Sequence, residues 1–276
     1  MSVPALDFEA GLAAVGDTEP LVEAVTNAVT VRDVAQVVSL WGGLPVMATD
    51  ERELPEMLAG AEACLLNIGT IDEARESSLL AAAEAATDHG VPTVLDPVGA
   101  GATSTRTRVA ERLAAGFDVT VIKGNRGEIA TLAGEDATVR GVESVGDHAD
   151  AAASAMACAR TFGSVVVASG ATDVVATADA ALAVRAGHPM MADVVGTGCL
   201  LGATVATTVG TIDDAVRATL LGTVAFGLAG EAAADGAVGD HRGPESYHTA
   251  LLDAIAALPV TDTPDPTDRI EAVAGT

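Results

Sequence analysis

Residues 64–95 read CLLNIGTIDEARESSLLAAAEAATDHGVPTVL, and their texture decides the fold. A short apolar run, Cys64–Ile68, leads into an Ala-rich segment over Ile71–His89 and then into a second short run, Thr93–Leu95. In the middle segment Ala74, Ser78, Ala81, Ala82, Ala85 and Ala86 mark one helical face, while Glu73, Glu76 and Glu84 keep elsewhere to solvent. The flanking runs are nearly free of polar residues, as strands are when a parallel sheet is covered on both faces. Strand, helix and strand in that order make a βαβ unit.

The unit repeats outward. Val46–Ala48, Thr120–Ile122 and Val165–Ala168 read as further strands; Val22–Leu40, Thr105–Ala115, Gly127–Ala133 and Asp147–Thr161 read as helices. The expected fold is α/β, three-layer α/β/α around a central, mostly parallel sheet. Beyond Ser164 an antiparallel hairpin is expected from Val174–Thr177 and Ala181–Arg185, then helices near Gly198–Thr208, Asp213–Asp235 and Pro244–Leu258. No linker divides the chain, so residues 1–258 are expected to form a single domain. The last stretch, 259–276, holds three prolines and four acids and is expected to be a frayed tail.

Composition sets outer limits. The 276 residues carry 39 Asp+Glu against 14 Lys+Arg, a net charge of -25, and 49% are hydrophobic, which excludes global disorder. Such acidity argues against nucleic acid, whose phosphates are bound by clustered cations, and against an anionic membrane surface. Thirteen of the cations are Arg and one, Lys123, is Lys. Acids in place of lysines are the expected adaptation to a salt-rich cytoplasm. Cys64, Cys158 and Cys199 are widely spaced without a CxxC pair, which points to a reducing, cytoplasmic setting; Cys64 and Cys158 read as core. The acidic N-terminus does not read as a signal peptide, and the longest apolar stretch, Cys199–Ile212, is too short to span a bilayer.

Three clusters carry chemistry. Asp193-Val194-Val195-Gly196-Thr197-Gly198-Cys199 leads into an apolar helix, whose N-terminal amides and dipole bind an anion such as phosphate and favour a thiolate at Cys199. The alternative is a plain Gly-rich turn into a buried helix. Asp96-Pro97-Val98-Gly99 follows a buried strand, where open α/β sheets bind ligands, and Asp96 is placed there to hold Mg²⁺ or to cap a loop. Lys123-Gly124-Asn125-Arg126-Gly127-Glu128 offers a cation for phosphate and a second acid for Mg²⁺, while Asn125 and Glu128 also have the spacing of a helix cap. An anion hole, two carboxylates and one lysine at strand ends suit Mg-dependent phosphoryl transfer. His188 before Pro189, and His89, His148, His241 and His248, lack metal-ligand spacing, and Trp41 reads as packing.

Together with Thr26-Asn27, Pro45-Val46-Met47, Asn67-Ile68-Gly69-Thr70, Leu95-Asp96-Pro97-Val98 and Ser169-Gly170, these clusters carry a resemblance over about Pro20 to Leu258. The chain resembles the hydroxyethylthiazole kinases, ribokinase-like enzymes of thiamine salvage; the Gly196-Thr197-Gly198-Cys199 tetrapeptide is the most telling part. The resemblance implies a ribokinase-like fold, ATP as co-substrate, Mg²⁺, and phosphorylation of the hydroxyl of 4-methyl-5-(2-hydroxyethyl)thiazole. It assigns acceptor contacts to Met47, Gly196, Asn27 and Gly69, and nucleotide contacts to Lys123, Ser169 and Thr197. Asp96 and Glu128 organise Mg²⁺, and Gly198 with Cys199 frames the transferring phosphoryl group. It also implies a homotrimer with sites between subunits, so that Asn27 and Met47 serve a neighbour. The chain departs from the family pattern at Glu23, Gln36 and Leu44, in the half that would form the acceptor pocket, and Asp193 is atypical: an acid assisting Mg²⁺ or acceptor, or a solvated loop residue. Related readings are a kinase for another small alcohol such as hydroxymethylpyrimidine, a dehydratase of hydrated nicotinamide nucleotides on the same fold, and a non-catalytic nucleotide sensor.

Overall fold

The chain folds around one twisted sheet of nine strands in the order β2-β1-β3-β4-β5-β6-β7-β8-β9. This computed structural model describes residues 6–135, 148–258 and 266–275. Strands β1 (Leu21–Val25), β2 (Leu44–Val46), β3 (Ala63–Asn67), β4 (Thr93–Asp96), β5 (Val121–Asn125) and β6 (Val165–Ser169) run parallel. Strands β7 (Asp173–Ala176), β8 (Ala180–Val184) and β9 (Ile270–Gly275) extend the sheet antiparallel.

Alternation along the strands feeds two separate cores. Leu65, Val94, Val121 and Val167 point into one, under helices α1 (Phe8–Thr18), α2 (Val31–Leu40), α8 (Thr197–Val209), α9 (Ala215–Ala234) and α10 (Pro244–Ala257). Leu66, Leu95, Ile122 and Val166 point into the other, under α3 (Leu54–Leu58), α4 (Glu73–His89), α5 (Ser104–Gly116), α6 (Arg126–Leu132) and α7 (His148–Phe162). The three-layer α/β/α expectation therefore holds, with both sheet faces covered. On α4 the buried face centres on Ser78, Leu79, Ala82, Ala83 and Ala86, with Ala74 left exposed, a rotation set by the larger Leu79. Trp41 is packing: it is buried and donates its indole N–H to Thr204 Oγ1 at 2.9 Å.

Two expectations are corrected. The segment Val22–Leu40 is not one helix: Leu21–Val25 is a strand, and α2 begins only at Val31. Val22 and Ala24 enter one core and Val25 the other, so this run is buried from both sides between β2 and β3. The C-terminal stretch is not all tail. Ile270–Gly275 forms the edge strand β9 beside β8. Arg269 anchors it with two bonds to the Glu231 carboxylate, each 3.0 Å, and Ile270 adds a buried side chain. Residues 259–265, and the expected helix start at Asp147, lie outside the described residues.

Glu23 sits in the middle of β1 and is completely buried. Neither carboxyl oxygen has a hydrogen bond of good geometry, although the Ala48 and Ala24 amides act on it from nearby. Burial pushes its pKa from 4.5 up to about 8, and Glu53 adds to the rise. The folded state thus binds a proton here that the unfolded chain releases between these values. Stability contributed by the neutral acid is full below pH 4.5 and is lost as pH rises through 8. Glu23→Gln is expected to raise the melting temperature by several °C at pH 8 and by much less at pH 5. Equal gains at both pH values in a thermal melt would show that Glu23 does not titrate on folding.

Candidate active site

Parallel strands place their C-terminal residues along one edge of the sheet, and the register aligns Asn67 with Asp96 and Asn125 with Ser169. Asn67, Asp96 and Lys123 share strand faces with Leu65, Val94 and Val121, so they point toward the layer that holds α8. Helix α8 packs across β1, β3, β4 and β5 and meets these residues with its N-terminus.

That N-terminus is built by glycine. Gly196 is the N-cap with φ of 96°, a left-handed conformation, and a Cβ there would lie 2.4 Å from Thr30 Cγ2. No side chain caps the helix. The Thr197 hydroxyl is turned away, donating to the Met191 carbonyl at 2.9 Å, so the residue predicted to touch nucleotide presents its backbone to the helix end. Gly198 faces Lys123, whose Nζ would lie 3.1 Å from a Cβ at that position. Lys123 is 3% exposed and its Nζ donates to Asp96 Oδ1 at 3.4 Å, Asp96 being 1% exposed.

Asparagines tie this ion pair to the cysteine. Asn67 Nδ2 donates to Asp96 Oδ2 at 2.8 Å and to Cys199 Sγ at 3.2 Å. Its Oδ1 accepts from the Gly69 amide at 2.9 Å and from Asn27 Nδ2 at 3.1 Å. Asn27 Nδ2 also reaches Thr30 Oγ1 at 2.9 Å and Cys199 Sγ at 3.4 Å. Gly69 admits no side chain, because a Cβ would lie 2.8 Å from Asn27 Cβ.

The electrostatics follow. Burial raises Asp96 to about 6 against the pull of Lys123, and Glu128 adds to the rise. Burial alone would lower Lys123, but Asp96, Glu128 and Cys199 outweigh it and hold the ammonium above its ordinary value. The Cys199 thiol is pushed up, first by burial and then by Asp96, although Lys123, Asn67 and Thr30 pull it down. The expected thiolate preference from the helix end is therefore overridden. Burial also pushes the Cys64 thiol up, and Cys158 to about 12, as befits core residues.

Glu128 has the capping role and holds a loop as well. Its Oε2 accepts from the Asn125 amide at 2.7 Å, its Oε1 from the Gly99 amide at 2.7 Å, and its own amide donates to Asn125 Oδ1 at 2.9 Å. Among the described residues no cluster of three or more acids, histidines or cysteines forms a cage for a metal ion. Two carboxylates, Asp96 at the end of β4 and Glu128 in the first turn of α6, each already hydrogen-bonded, suit a hydrated Mg²⁺ that arrives on phosphates, since that ion retains waters and takes few protein ligands.

Ser169 joins the group through its hydroxyl, which donates to the Gly124 carbonyl at 3.2 Å. Next to it the Arg126 guanidinium lies against Gly170, with Nε 3.1 Å from a Cβ placed there. Asp173 accepts from the Gly170 amide at 2.9 Å and is raised to about 6 by burial, with Lys123 and Arg126 pulling the other way. Met47 stands apart, half-buried after the edge strand β2. Of the three departures, Glu23 is inside the sheet and Gln36 and Leu44 are exposed. Asp193 is exposed on the rim of a cavity of about 300 Å³ lined also by Val29, Arg32, Asp33, Val195 and His248. His188 Nδ1 accepts the Met190 amide at 3.3 Å and so closes a turn. Asn67 and Thr30 were given no role from sequence; for Asn67 the signal was its place at the end of an apolar strand, where Asp96 also sits.

Comparison with known proteins gives the family and the fold. The model of the hydroxyethylthiazole kinase family matches residues 12–261. A hydroxyethylthiazole kinase of Haloquadratum walsbyi is 58% identical over 90% of this chain and 86% of its own. The structure of a hydroxyethylthiazole kinase protein from Pyrococcus horikoshii superposes with a TM-score of 0.84 at 35% identity, covering 96% of this chain and 98% of that one. A ribokinase-like superfamily protein of Enterococcus faecalis, 13% identical, shares the fold with a TM-score of 0.62 over 90% of this chain and 89% of its own.

The Lys123–Asp96 pair makes a prediction that needs no substrate. Lys123→Met leaves a buried aspartate without its cation and is expected to cost about 3–5 kcal/mol in denaturant unfolding. Adding Asp96→Asn, which removes the orphaned charge, should recover about half or more of that loss. Additive losses would mean that the two charges do not stabilise each other.

Proposed function

We infer the activity from one premise: the chain belongs to the hydroxyethylthiazole kinase family. It is a phosphotransferase that uses ATP to phosphorylate the hydroxyl of 4-methyl-5-(2-hydroxyethyl)thiazole. The observation that carries the reading at residue level is the meeting of Lys123, Asp96, Asn67 and Cys199 at the uncapped N-terminus of α8. A helix end with free amides and an adjacent ammonium binds a phosphoryl group as its charge is redistributed, which is the main demand of this chemistry.

In this reading the nucleotide phosphates lie along the α8 amides of Thr197, Gly198 and Cys199, with Lys123 beside them and Ser169 on the nucleotide side. Asp96 and Glu128 would hold Mg²⁺, which neutralises phosphate charge when bound. The acceptor hydroxyl approaches Cys199 from the side of Gly69, Gly196 and Asn27. Asn27 reaches the cysteine of its own chain, which corrects the expectation that it serves a neighbour. Because the Cys199 thiol is raised and stays protonated near neutral pH, it orients that hydroxyl, whose proton leaves late onto an oxygen of the transferred phosphoryl group, when that group is already largely detached from the nucleotide. The enzyme is a cytoplasmic homotrimer built from one kinase domain, with Met47 completing a neighbour's acceptor pocket. Support for the assembly comes from Val29, Val31, Leu44 and Val195, large apolar side chains left exposed near the site and the β2 edge, Val195 at 79%. The acidic surface and the Haloquadratum walsbyi relative support adaptation to salt.

Purified protein in molar KCl with Mg-ATP is expected to form ADP on addition of the thiazole alcohol; no acceleration over the ATPase background would end this reading. Cys199→Ala should lower turnover about 10- to 100-fold without abolishing it, and Cys199→Asp should remain active. A phosphocysteine trapped in the wild type and seen by mass spectrometry would refute the role given to Cys199. The melting temperature should climb with KCl concentration, and maximal stability without salt would remove the halophilic reading.

A further inference from the structure

Asn67 is the residue through which the two halves of the site touch. It is completely buried and all four of its side-chain hydrogen bonds are made. Two are donated, to Asp96 Oδ2 at 2.8 Å and Cys199 Sγ at 3.2 Å; two are accepted, from the Gly69 amide at 2.9 Å and Asn27 Nδ2 at 3.1 Å. The donors thus face the groups of the phosphoryl side, and the acceptor faces two groups of the alcohol side. Neither an aspartate nor a leucine of similar size makes this set, because one lacks the donors and the other lacks both functions.

We propose that Asn67 is a positioning residue for phosphoryl transfer, holding the Cys199 sulfur and the Asp96 carboxylate in a single arrangement registered against the acceptor pocket. The proposal rests on the kinase reading. A thiol has one rotatable torsion, and two amide N–H groups converging from Asn27 and Asn67 fix the sulfur, with Thr30 and Asp96 beside it. The aspartate is fixed in the same way: Lys123 takes Oδ1 and Asn67 takes Oδ2, so both carboxylate oxygens are assigned. Loss of Asn67 would let both groups rotate while leaving the helix-end amides, Lys123 and the pocket walls in place. Misplacement of this kind lowers turnover and spares binding.

The test is a double-mutant cycle of Asn67→Ala and Cys199→Ala on the full chain in molar KCl, with steady-state kinetics and calorimetric binding of ADP and of the thiazole alcohol. Asn67→Ala is expected to lower kcat about 100-fold, with KM and Kd values within about threefold of wild type. The double variant is expected to be at least about tenfold more active than the product of the two single losses predicts, because Asn67 acts in part through the sulfur. Multiplicative losses, an unchanged kcat, or weakened binding in step with kcat would each overturn the proposal. If Asn67→Ala does not fold, Asn67→Ser and Asn67→Asp take its place in the cycle; failure of all three to fold would assign Asn67 a structural role and overturn it as well. Wild-type protein showing no acceptor-dependent ADP formation would instead sink the kinase reading, a separate result from an active wild type with a multiplicative cycle.

Discussion

Lys123 and Asp96 face each other 3.4 Å apart, almost wholly out of water, at the positive end of a helix. Taking two such charges from solvent costs several kcal/mol each, and their mutual attraction repays this only where further hydrogen bonds support both. Asn67 supplies one to the carboxylate. The Asp96 and Glu128 carboxylates hold the ammonium above its ordinary value, so the local balance of charge is negative, and the positive potential open to a phosphoryl group is confined to Lys123 and the amides at the start of α8. Cys199, Glu128 and the glycines around them are arranged about this one pair.

The fold produces this arrangement by simple means. Parallel strands end at a common edge, so four consecutive loops converge, and α8 is laid across them with its N-terminus inward. Side-chain volume would block the approach, so Gly69, Gly196 and Gly198 stand where the chain comes within reach of Asn27, Thr30 and Lys123. Glu128 ties the loop after β4 to the cap of α6, fixing the end of the Asp96 strand against the helix that carries the second acid. Rigidity in the loops is what allows a site with few charges to act.

Much of this was legible in the chain. Apolar runs such as Cys64–Ile68 announced buried strands, and each polar residue directly after a run, Asp96 and Lys123 among them, fell at the sheet edge. The failures have a common cause in long-range pairing. Leu21–Val25 joined seamlessly to the helix that follows because no glycine or proline marks the turn at Thr26–Thr30, and Glu23 in its centre disguised a strand. Ile270–Gly275 has alternating character, but its partner β8 lies far away in sequence and the prolines before it argued for disorder. Asn67 looked inert since an amide declares its role only through the groups it touches. The Cys199 pKa went the other way from the helix-end argument because burial and Asp96, both tertiary features, outweigh a local dipole.

The acidic surface and the single lysine belong to one physical problem. In molar salt the screening length falls to about 3 Å, so exposed charges neither steer a nucleotide nor repel it from a distance. Arginines in exposed pairs such as Arg108–Glu76, Arg185–Glu271 and Arg269–Glu231 serve solvation and local order under those conditions. A surface cation aimed at phosphate would be equally screened. A buried one is not: Lys123, at 3% exposure and shielded by Asn67, Asp96 and α8, keeps its full interaction at contact distance. Recognition of a polyanion by a chain of charge -25 is then reasonable, since it depends on what a phosphate meets within the site and hardly at all on the field outside it.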